Sequence, residues 1–168
     1  MNTLDAIRAR RSIRKYTSQS VSLDTIHQLL EAGMCAPSTH NKKSAEFIVI
    51  QDRATLNCFA EYGKYHKMLK EASCAILVCG NTEKMSVHDF VINDCSAAIE
   101  NILIAATDLG LGAVWLGIKI DEMKEFYKRE CNLPDYILPV GLIAIGYPDE
   151  VKETGNRYDE SRVHLERY

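Results

Sequence analysis

The sequence predicts a three-layer fold in which helices cover both faces of a small sheet of four strands. Apolar runs typical of strands interleave along the chain with segments of helical periodicity, which is the pattern of a sheet between helices. One long helical segment is apolar on nearly every side, so it should run through the middle of the structure. The chain has 168 residues, of which 46% are hydrophobic and 26% charged, without repeats or linkers. We therefore expect one domain over residues 1–168.

Two helices are predicted before the first strand. Asn2 or Thr3 can cap a short helix that reaches about Ala9. Ser22 can cap a second helix, because apolar residues recur after it at three- and four-residue steps. Pro37 lies beyond the last of these residues and marks the end of that helix, since the residue before a proline disfavours the helical conformation.

The middle of the chain is predicted to contain two strands and three helices. EFIVIQD is typical of a strand, and the segments RATLNCFAEYG and YHKMLKEA that follow favour two short helices. CAILVCG is a continuous apolar run, as in a strand that is buried on both faces. The long apolar helix is then expected from about Val87 to Leu109.

The last third of the chain is predicted to form two strands, one helix and a tail. AVWLGI makes the third strand, a helix runs from Asp121 through Lys128, and ILPVGLIAIGYP makes the fourth strand. Residues 149–168 are polar and show no periodic pattern. Because one chain of this size cannot easily cover the long apolar helix, we expect a homodimer interface over it.

The charge of the chain argues against several classes of function. The formal net charge is -3, and the basic excess is confined to one short segment, whereas nonspecific nucleic-acid binding needs a broad basic field. No apolar run approaches the roughly 18 residues of a bilayer span, and no hydrophobic segment of a secretory signal follows the basic N-terminus. We therefore expect a small-molecule partner, no nucleic acid, no membrane and a cytoplasmic location.

The cysteines and histidines show no spacing typical of a metal site. The six cysteines include no C-x-x-C pair, and several lie in apolar runs, so we expect buried free thiols and no metal. These cysteines are Cys35, Cys58, Cys74, Cys79, Cys95 and Cys131.

The basic segment IRARRSIRKY, residues 7–16, carries the clearest indication of a ligand. Arginine presents a planar set of donors that binds phosphate oxygens two at a time. Arg10, Ser12 and Arg14 alternate, so in an extended segment they point to the same side, as in a phosphate-binding site. A solvated basic loop is the alternative, and it is favoured when the cluster is considered alone.

The order of this segment and of others resembles the FMN-dependent nitroreductase family. The chain contains, in order, RRSIRKYTSQSV, APSTHN, EFIVIQD, GLGAVWLG, LPVGLIAIGYPDE and RYDESRVH, so the resemblance covers almost the entire chain. It implies an α+β fold, a three-layer α/β/α sandwich with a small, mostly antiparallel mixed sheet, in a homodimer. It also implies FMN as cofactor, with NADH or NADPH as co-substrate.

The resemblance implies which residues bind the phosphate. In such proteins the R-R-S-x-R segment binds the FMN phosphate and ribityl chain, which implies this role for Arg10, Arg11, Ser12 and Arg14. An arginine in the tail usually returns to the phosphate, and Arg157 is the best match. Without the resemblance, Arg157 could equally be a surface charge.

Two further segments would contact the flavin. In such proteins the A-P-S-x-x-N segment approaches the flavin from the partner subunit, and the W-x-G stretch passes along the isoalloxazine ring, usually with a main-chain amide facing N5. The residues so implied are Pro37, Ser38, Asn41, Trp115, Leu116 and Gly117. Without the resemblance, the polar residues would be interpreted as turn formers, the tryptophan as a core aromatic and the glycine as a strand glycine.

The chain departs from the family's pattern near the first strand. Family members commonly have Gln-Pro-Trp where this chain has Lys43, Ser44 and Ala45, which removes a large aromatic side chain and adds a cation. The segment FAEYGKYHKML is the only candidate for a lid over the flavin. Its side chains Tyr62, Tyr65, His66 and Met68 could line a substrate pocket, and surface packing is an equally good interpretation of them.

The resemblance implies an enzyme whose cofactor carries the chemistry. A nicotinamide would deliver hydride to the flavin, and nitroaromatics, quinones or a related small molecule would then accept the electrons in a ping-pong mechanism. No catalytic side chain is predicted, because Cys95 and His66 lack a partner at the spacing of a nucleophile and its base. Flavin reduction, reductive dehalogenation, enoate-type reduction and non-catalytic FMN binding stay open. Residues 149–168 are expected to wrap the partner subunit.

Overall fold

Four strands form one sheet between two layers of helices in the computed structural model, which describes residues 1–168. The strands are β1 (Ala45–Ile50), β2 (Cys74–Asn81), β3 (Gly112–Gly117) and β4 (Ile137–Gly146). Their order is β1-β2-β4-β3, and each strand is antiparallel to its neighbours. The predicted α+β sandwich is confirmed, and its one parallel pairing is an isolated bridge between Ser12 and Ala113.

The helices divide between the two faces of the sheet. Helices α1 (Thr3–Ala9), α2 (Leu23–Met34) and α4 (His88–Asp108) lie on one side, and α3 (Arg53–Glu61) and α5 (Asp121–Glu130) lie on the other. Each layer encloses its own apolar core, because β2 and β4 are buried on both faces. The predicted strand interiors and the central position of α4 are therefore confirmed.

Side-chain caps explain where three of the helices begin. The side chains of Asn2, Ser22 and Asp52 each accept a hydrogen bond from a backbone N–H in the first turn of α1, α2 and α3. The predicted cap at Ser22 is confirmed. Of the two caps predicted for α1, Asn2 and Thr3, the structure uses Asn2. Helix α4 begins one residue later and ends one residue earlier than predicted.

The predicted helix YHKMLKEA is wrong, because this segment forms only a 3-10 turn over Lys67–Lys70. The guanidinium of Arg53 donates to the carbonyls of Leu69, Lys70 and Ala72 at 3.1, 2.9 and 2.6 Å. A side chain on α3 therefore satisfies carbonyl groups that a longer helix would have used, and it ties the turn to that helix.

Helix α4 contradicts one expectation from the sequence. Its 21 residues are long and apolar enough to meet the criteria for a membrane span, although no such run was expected. Its buried residues pack on the sheet, and they include Val91, Cys95, Ile99 and Ile102. The helix is thus the core helix of this layer, as its all-round apolar pattern indicates.

Apolar side chains remain exposed at the edge of this layer and in the tail. Leu4 of α1 and Met34 of α2 are 60% and 65% exposed, and Leu165 in the tail is 85% exposed. Beyond Gly146 the chain forms only a 3-10 turn over Glu160–Arg162. Such residues would be covered in the expected homodimer, which stays a prediction.

Replacing Arg53 with methionine should lower the free energy of unfolding by about 2 to 3 kcal/mol, because carbonyls that are partly buried lose a charged donor. Urea unfolding followed by circular dichroism measures the change. Arg129→Met is the matched control, since its exposed pair with Glu130 should contribute less than about 1 kcal/mol. Equal losses in the two variants would show that Arg53 acts only as a surface charge.

Candidate functional site

The basic segment runs in an extended conformation between β3 and the beginning of the tail. Ser12 bridges Ala113 of β3, and Tyr16 bridges Pro148. The backbone N–H of Thr17 donates to the carbonyl of Tyr147 at 2.9 Å. The extended conformation that the alternation of Arg10, Ser12 and Arg14 requires is therefore present from residue 12 onwards.

Side-chain bonds fasten the same two segments together. Glu150 accepts from the backbone N–H of Arg14 at 2.5 Å, and Lys152 donates to the carbonyl of Ser12 at 2.6 Å. The bond from Arg14 lowers the pKa of the Glu150 carboxyl, so the carboxylate that accepts it is favoured. Sequence reasoning missed Glu150 and Lys152, because their partners are backbone groups more than a hundred residues away.

Arg10 and Arg157 line one cavity of about 650 Å³, although they are far apart in the sequence. We call it the arginine cavity. The Nε of Arg10 lies 3.2 Å from a carboxylate oxygen of Glu100 on α4, and its side chain is 21% exposed. The ion pair uses Nε, so both Nη groups of Arg10 stay free of hydrogen bonds within the chain. Two guanidinium groups can thus bind one anion in this cavity.

Arg11 has a structural role beside the arginine cavity. Its Nε donates to the carbonyl of Glu153 at 2.9 Å, and its Nη1 donates to the carbonyls of Arg8 and Arg10, each at 2.8 Å. Desolvation, followed by the positive charges of Arg157 and Arg10, lowers the pKa of Arg11. The three guanidinium groups therefore form a cluster in which Arg11 holds the backbone.

Ser12 and Arg14 do not line the arginine cavity in a single chain. Arg14 is exposed, and its guanidinium makes no hydrogen bond or ion pair within the chain. Ser12 is half-buried and contributes its carbonyl to Lys152. The structure thus brings Arg10, Arg11 and Arg157 together, and the roles of Ser12 and Arg14 toward a phosphate stay predictions.

The segment from Pro37 to Lys43, which we call the turn, is held by a buried carboxylate. Asp94 of α4 is 6% exposed. It accepts from the N–H and the hydroxyl of Thr39 at 2.8 and 2.9 Å, and from the hydroxyl of Ser44 at 2.9 Å. These bonds fix the turn on the central helix. Sequence reasoning missed Asp94, and the available signal was an acidic residue within an otherwise apolar helix.

A second cavity of about 330 Å³, which we call the turn cavity, lies against the turn. Pro37, Ser38 and Lys43 line it together with Phe47 of β1 and Asp94. Asn41 is exposed and does not line it. The arginine cavity and the turn cavity share no residue, so one chain does not join them into a single site.

The three residues predicted on β3 differ in their surroundings. The indole of Trp115 covers Gly141 of β4 so closely that a Cβ at that position would collide with it, and its Nε1 is buried without a partner. Leu116 belongs to the core on the α3 and α5 side. Only Gly117, at the end of the strand, is exposed. The side chain of Trp115 therefore packs against the core, as is common for tryptophan. The side chain of Leu116 is buried, so any contact of this residue with a ligand must come from its backbone.

The expected lid lies in the other helical layer. Tyr62 contacts the rings of His66 and Phe126, with centroids 5.2 and 4.7 Å apart. Met68 packs on the core of α3 and α5, and Tyr65 is 70% exposed. None of the four side chains lines the arginine cavity or the turn cavity of its own chain, and their role as a lid over a flavin stays a prediction.

Neither Cys95, as a nucleophile, nor His66, as a base, is placed for catalysis. Burial raises the pKa of Cys95 to about 12, so this thiol is not ionised near neutral pH. Burial lowers the pKa of His66, and both of its ring nitrogens are buried without a hydrogen-bond partner. All six cysteines are free, but Cys35 and Cys58 are exposed, contrary to the expectation of buried thiols.

A family model described as the Nitroreductase family matches residues 7–72 and 58–147. The chain belongs to the Nitroreductase family. The overlapping matches include the basic segment, the turn and the four strands, so they cover the residues that build both cavities apart from those of the tail.

Several similar proteins match the chain over its whole length. A protein of Methanothermobacter thermautotrophicus, provisionally named NADH dehydrogenase/NAD(P)H nitroreductase, is 39% identical over 100% of this chain and 88% of its own length. A crystal structure under the same provisional name from Parabacteroides distasonis is 39% identical, covers 100% of both chains and has a TM-score of 0.95. A provisionally named nitroreductase from Desulfovibrio desulfuricans, solved in complex with FMN, is 33% identical, covers 100% of this chain and 98% of its own, and has a TM-score of 0.89.

Replacing Asp94 with alanine should lower the free energy of unfolding by about 2 to 4 kcal/mol, because the half-buried donors of Thr39 and the buried hydroxyl of Ser44 lose their acceptor. Denaturant unfolding measures the loss. The control is Asn93→Ala, an exposed position on the same helix, which should change stability by less than about 0.5 kcal/mol. If both variants are equally stable, the carboxylate does not hold the turn.

Proposed function

We propose that the protein is an FMN-dependent oxidoreductase that passes electrons from NADH or NADPH through the flavin to a small acceptor such as a nitroaromatic compound or a quinone. The arginine cavity carries the proposal, because two guanidinium groups from opposite ends of the chain meet there and one of them keeps its Nη donors free. Membership of the Nitroreductase family and the similar structure that contains FMN support the same conclusion.

The residues present fit the phosphate group of FMN. A phosphate dianion needs several charged or polar donors, and the free Nη groups of Arg10 can provide two charge-assisted hydrogen bonds. Arg157 adds a second guanidinium, and Arg11 contributes positive charge from beside the cavity. The carboxylate of Glu100 is neutralised by the Nε of Arg10, so it orients this side chain and does not leave an unpaired negative charge beside the anion.

Other residues of the chain would hold the rest of the cofactor. Pro37, Ser38 and Asn41 of the turn would contact the flavin bound by the partner subunit, and the backbone from Trp115 to Gly117 would lie along the ring. When bound, FMN supplies the chemistry of accepting a hydride from a nicotinamide and returning its electrons to an acceptor. The chain's own residues bind and orient the reactants, and no side chain acts as a catalytic acid or base in this proposal.

The proposed assembly is a homodimer of one-domain chains in which residues 149–168 wrap the partner subunit. Exposed apolar side chains in α1, α2 and the tail support it, as does the separation of the arginine cavity from the turn cavity within one chain. Two subunits can place the arginine cavity of one chain near the turn of the other. Binding of FMN to such a dimer would stabilise the dimer by mass action.

The purified protein should be yellow, should release FMN on denaturation, and should oxidise NADH or NADPH when a nitroaromatic compound or a quinone is added.

Initial rates should give parallel double-reciprocal lines, because nicotinamide and acceptor use one pocket in turn. A flavin-containing protein without steady-state oxidation of the nicotinamide would be a binding protein. A protein that does not take up FMN would overturn the proposal.

Replacing Arg10 with alanine should weaken FMN binding by about 1.5 to 3 kcal/mol, because charge-assisted hydrogen bonds to the phosphate are lost. Binding of riboflavin, which lacks the phosphate, should change little. Titrations that follow flavin fluorescence measure both affinities. Lys15→Ala is the control, since this exposed cation of the same segment does not line the arginine cavity. Equal losses for FMN and riboflavin would mean that Arg10 supports the fold and not the phosphate.

A further inference from the structure

We propose that the turn cavity is a subsite for a planar aromatic acceptor that carries a carboxylate, and that Lys43 binds this carboxylate. The inference rests on the proposed function, because it names the chemical class of the acceptor for the same enzyme. The volume of about 330 Å³ is in the range of small-molecule sites. Ser38, on the rim of the cavity, belongs to the turn that is proposed to contact the flavin, so a ligand there would lie beside the cofactor.

The shape of the turn cavity suits a flat ligand. Residues with small or no side chains leave space in it: Gly33 of α2, Ala36 after α2, Ala45 of β1 and Ala98 of α4. The ring of Phe47 lies next to Gly33, where a Cβ would be 3.2 Å from its Cε1. Pro37 and Met34 add apolar surface. An aromatic ring can pack against these apolar walls, and burying apolar surface of both the ring and the protein is favourable.

One charged donor at the turn cavity is free to bind an anion. The ammonium of Lys43 has no carboxylate within 4.0 Å and makes no side-chain hydrogen bond, whereas the nearby Lys84 pairs with Glu46 at 2.6 Å. The backbone N–H of Lys43 donates to the hydroxyl oxygen of Ser38 at 2.9 Å, which leaves the Ser38 hydroxyl proton free to donate. An ammonium and a hydroxyl can therefore both donate to a carboxylate at the rim.

Asp94 also lines the turn cavity, and its negative charge attracts a cation. However, its oxygens accept from the N–H and hydroxyl of Thr39 and from the hydroxyl of Ser44. The ammonium group of Lys43, in contrast, makes no hydrogen bond or ion pair within the chain. Lys43 is therefore the charged group of the cavity whose donors are unused, and a ligand carboxylate can pair with it.

The kinetic test compares two acceptors of the same shape, 4-nitrobenzoate and 4-nitrobenzamide, with the flavin-loaded enzyme. Lys43→Met should lower the ratio of their kcat/KM values, acid over amide, by about tenfold relative to the unmodified enzyme. Lys43→Arg should retain the ratio, because it keeps the charge. Lys42→Met is the matched control, since Lys42 is an adjacent exposed cation that does not line the turn cavity, and it should change the ratio by less than about twofold. Equal effects at Lys42 and Lys43 would overturn the subsite, because a general field would then explain the preference.

A binding test separates this inference from the proposed function, because it needs no turnover. Benzoate and benzamide cannot be reduced through a nitro group, and calorimetric titration gives their affinities for the flavin-loaded protein. Benzoate should bind more tightly than benzamide, and Lys43→Met should remove about tenfold of that difference while Lys42→Met retains it. Tighter binding of benzamide or of benzylamine would overturn the inference. Turnover of both nitro compounds that does not depend on Lys43 would overturn the subsite and leave the proposed function intact. Binding of benzoate that depends on Lys43, without any turnover, would support the subsite and overturn the proposed function.

Discussion

The buried carboxylate of Asp94 is the interaction on which the arrangement of the candidate site depends. A charged group in the interior is costly unless its oxygens are hydrogen-bonded, and Asp94 accepts from two groups of Thr39 and from Ser44. The turn, which provides the donors of Thr39 and leads to Ser44, contains strained residues, since His40, Asn41 and Lys43 have φ values of 51, 55 and 50°. Each such residue costs about 1 to 2 kcal/mol, whereas each hydrogen bond to a charged group contributes about 1.5 to 3 kcal/mol. The bonds to Asp94 are thus comparable in size to the strain, and they help to hold the turn in this shape.

Helix α4 connects the two cavities because it also carries Glu100, the partner of Arg10. Asp94 and Glu100 are six positions apart, which places them about 9 Å apart along the helix axis and on different sides of it. One helix thus orients the turn on one side and an arginine of the basic segment on the other. Because the same helix forms the core of its layer, the packing of the domain fixes the backbone positions of both acidic residues.

Much of the fold could be predicted from the sequence, because apolar period and capping residues are local signals. The four strands, the cap at Ser22 and the central helix follow from such signals alone. The failure at YHKMLKEA has a non-local cause, since Arg53 from α3 takes the carbonyls that would have continued the helix. In the same way, Tyr62 contacts His66 and also Phe126, which is far along the chain. No local sequence pattern predicts on which side of the sheet these rings lie.

The candidate site could be predicted only in outline, for the same physical reason. Spacing within the basic segment suggests an anion, but the meeting of Arg10 with Arg157 depends on the path of the tail, and only resemblance to a family implied it. That path is set by Glu150 and Lys152, whose partners are backbone groups of Arg14 and Ser12 and leave no trace in composition or periodicity.

The basic segment also shows how neighbouring arginines can have different roles. Arg11 directs its donors to three backbone carbonyls and so fixes the backbone, while Arg10 pairs through Nε and keeps both Nη groups available. Grouping these charges with Arg157 is unfavourable by itself: desolvation lowers the pKa of Arg11 most, and the positive charges of Arg157 and Arg10 lower it further. An anion bound between them would offset that repulsion, and it would stabilise the folded chain by an amount that grows with the logarithm of its concentration over its Kd. If the phosphate binds as proposed, its binding would stabilise the attachment of the tail, because the backbone that Arg11 holds at Glu153 leads directly to Arg157.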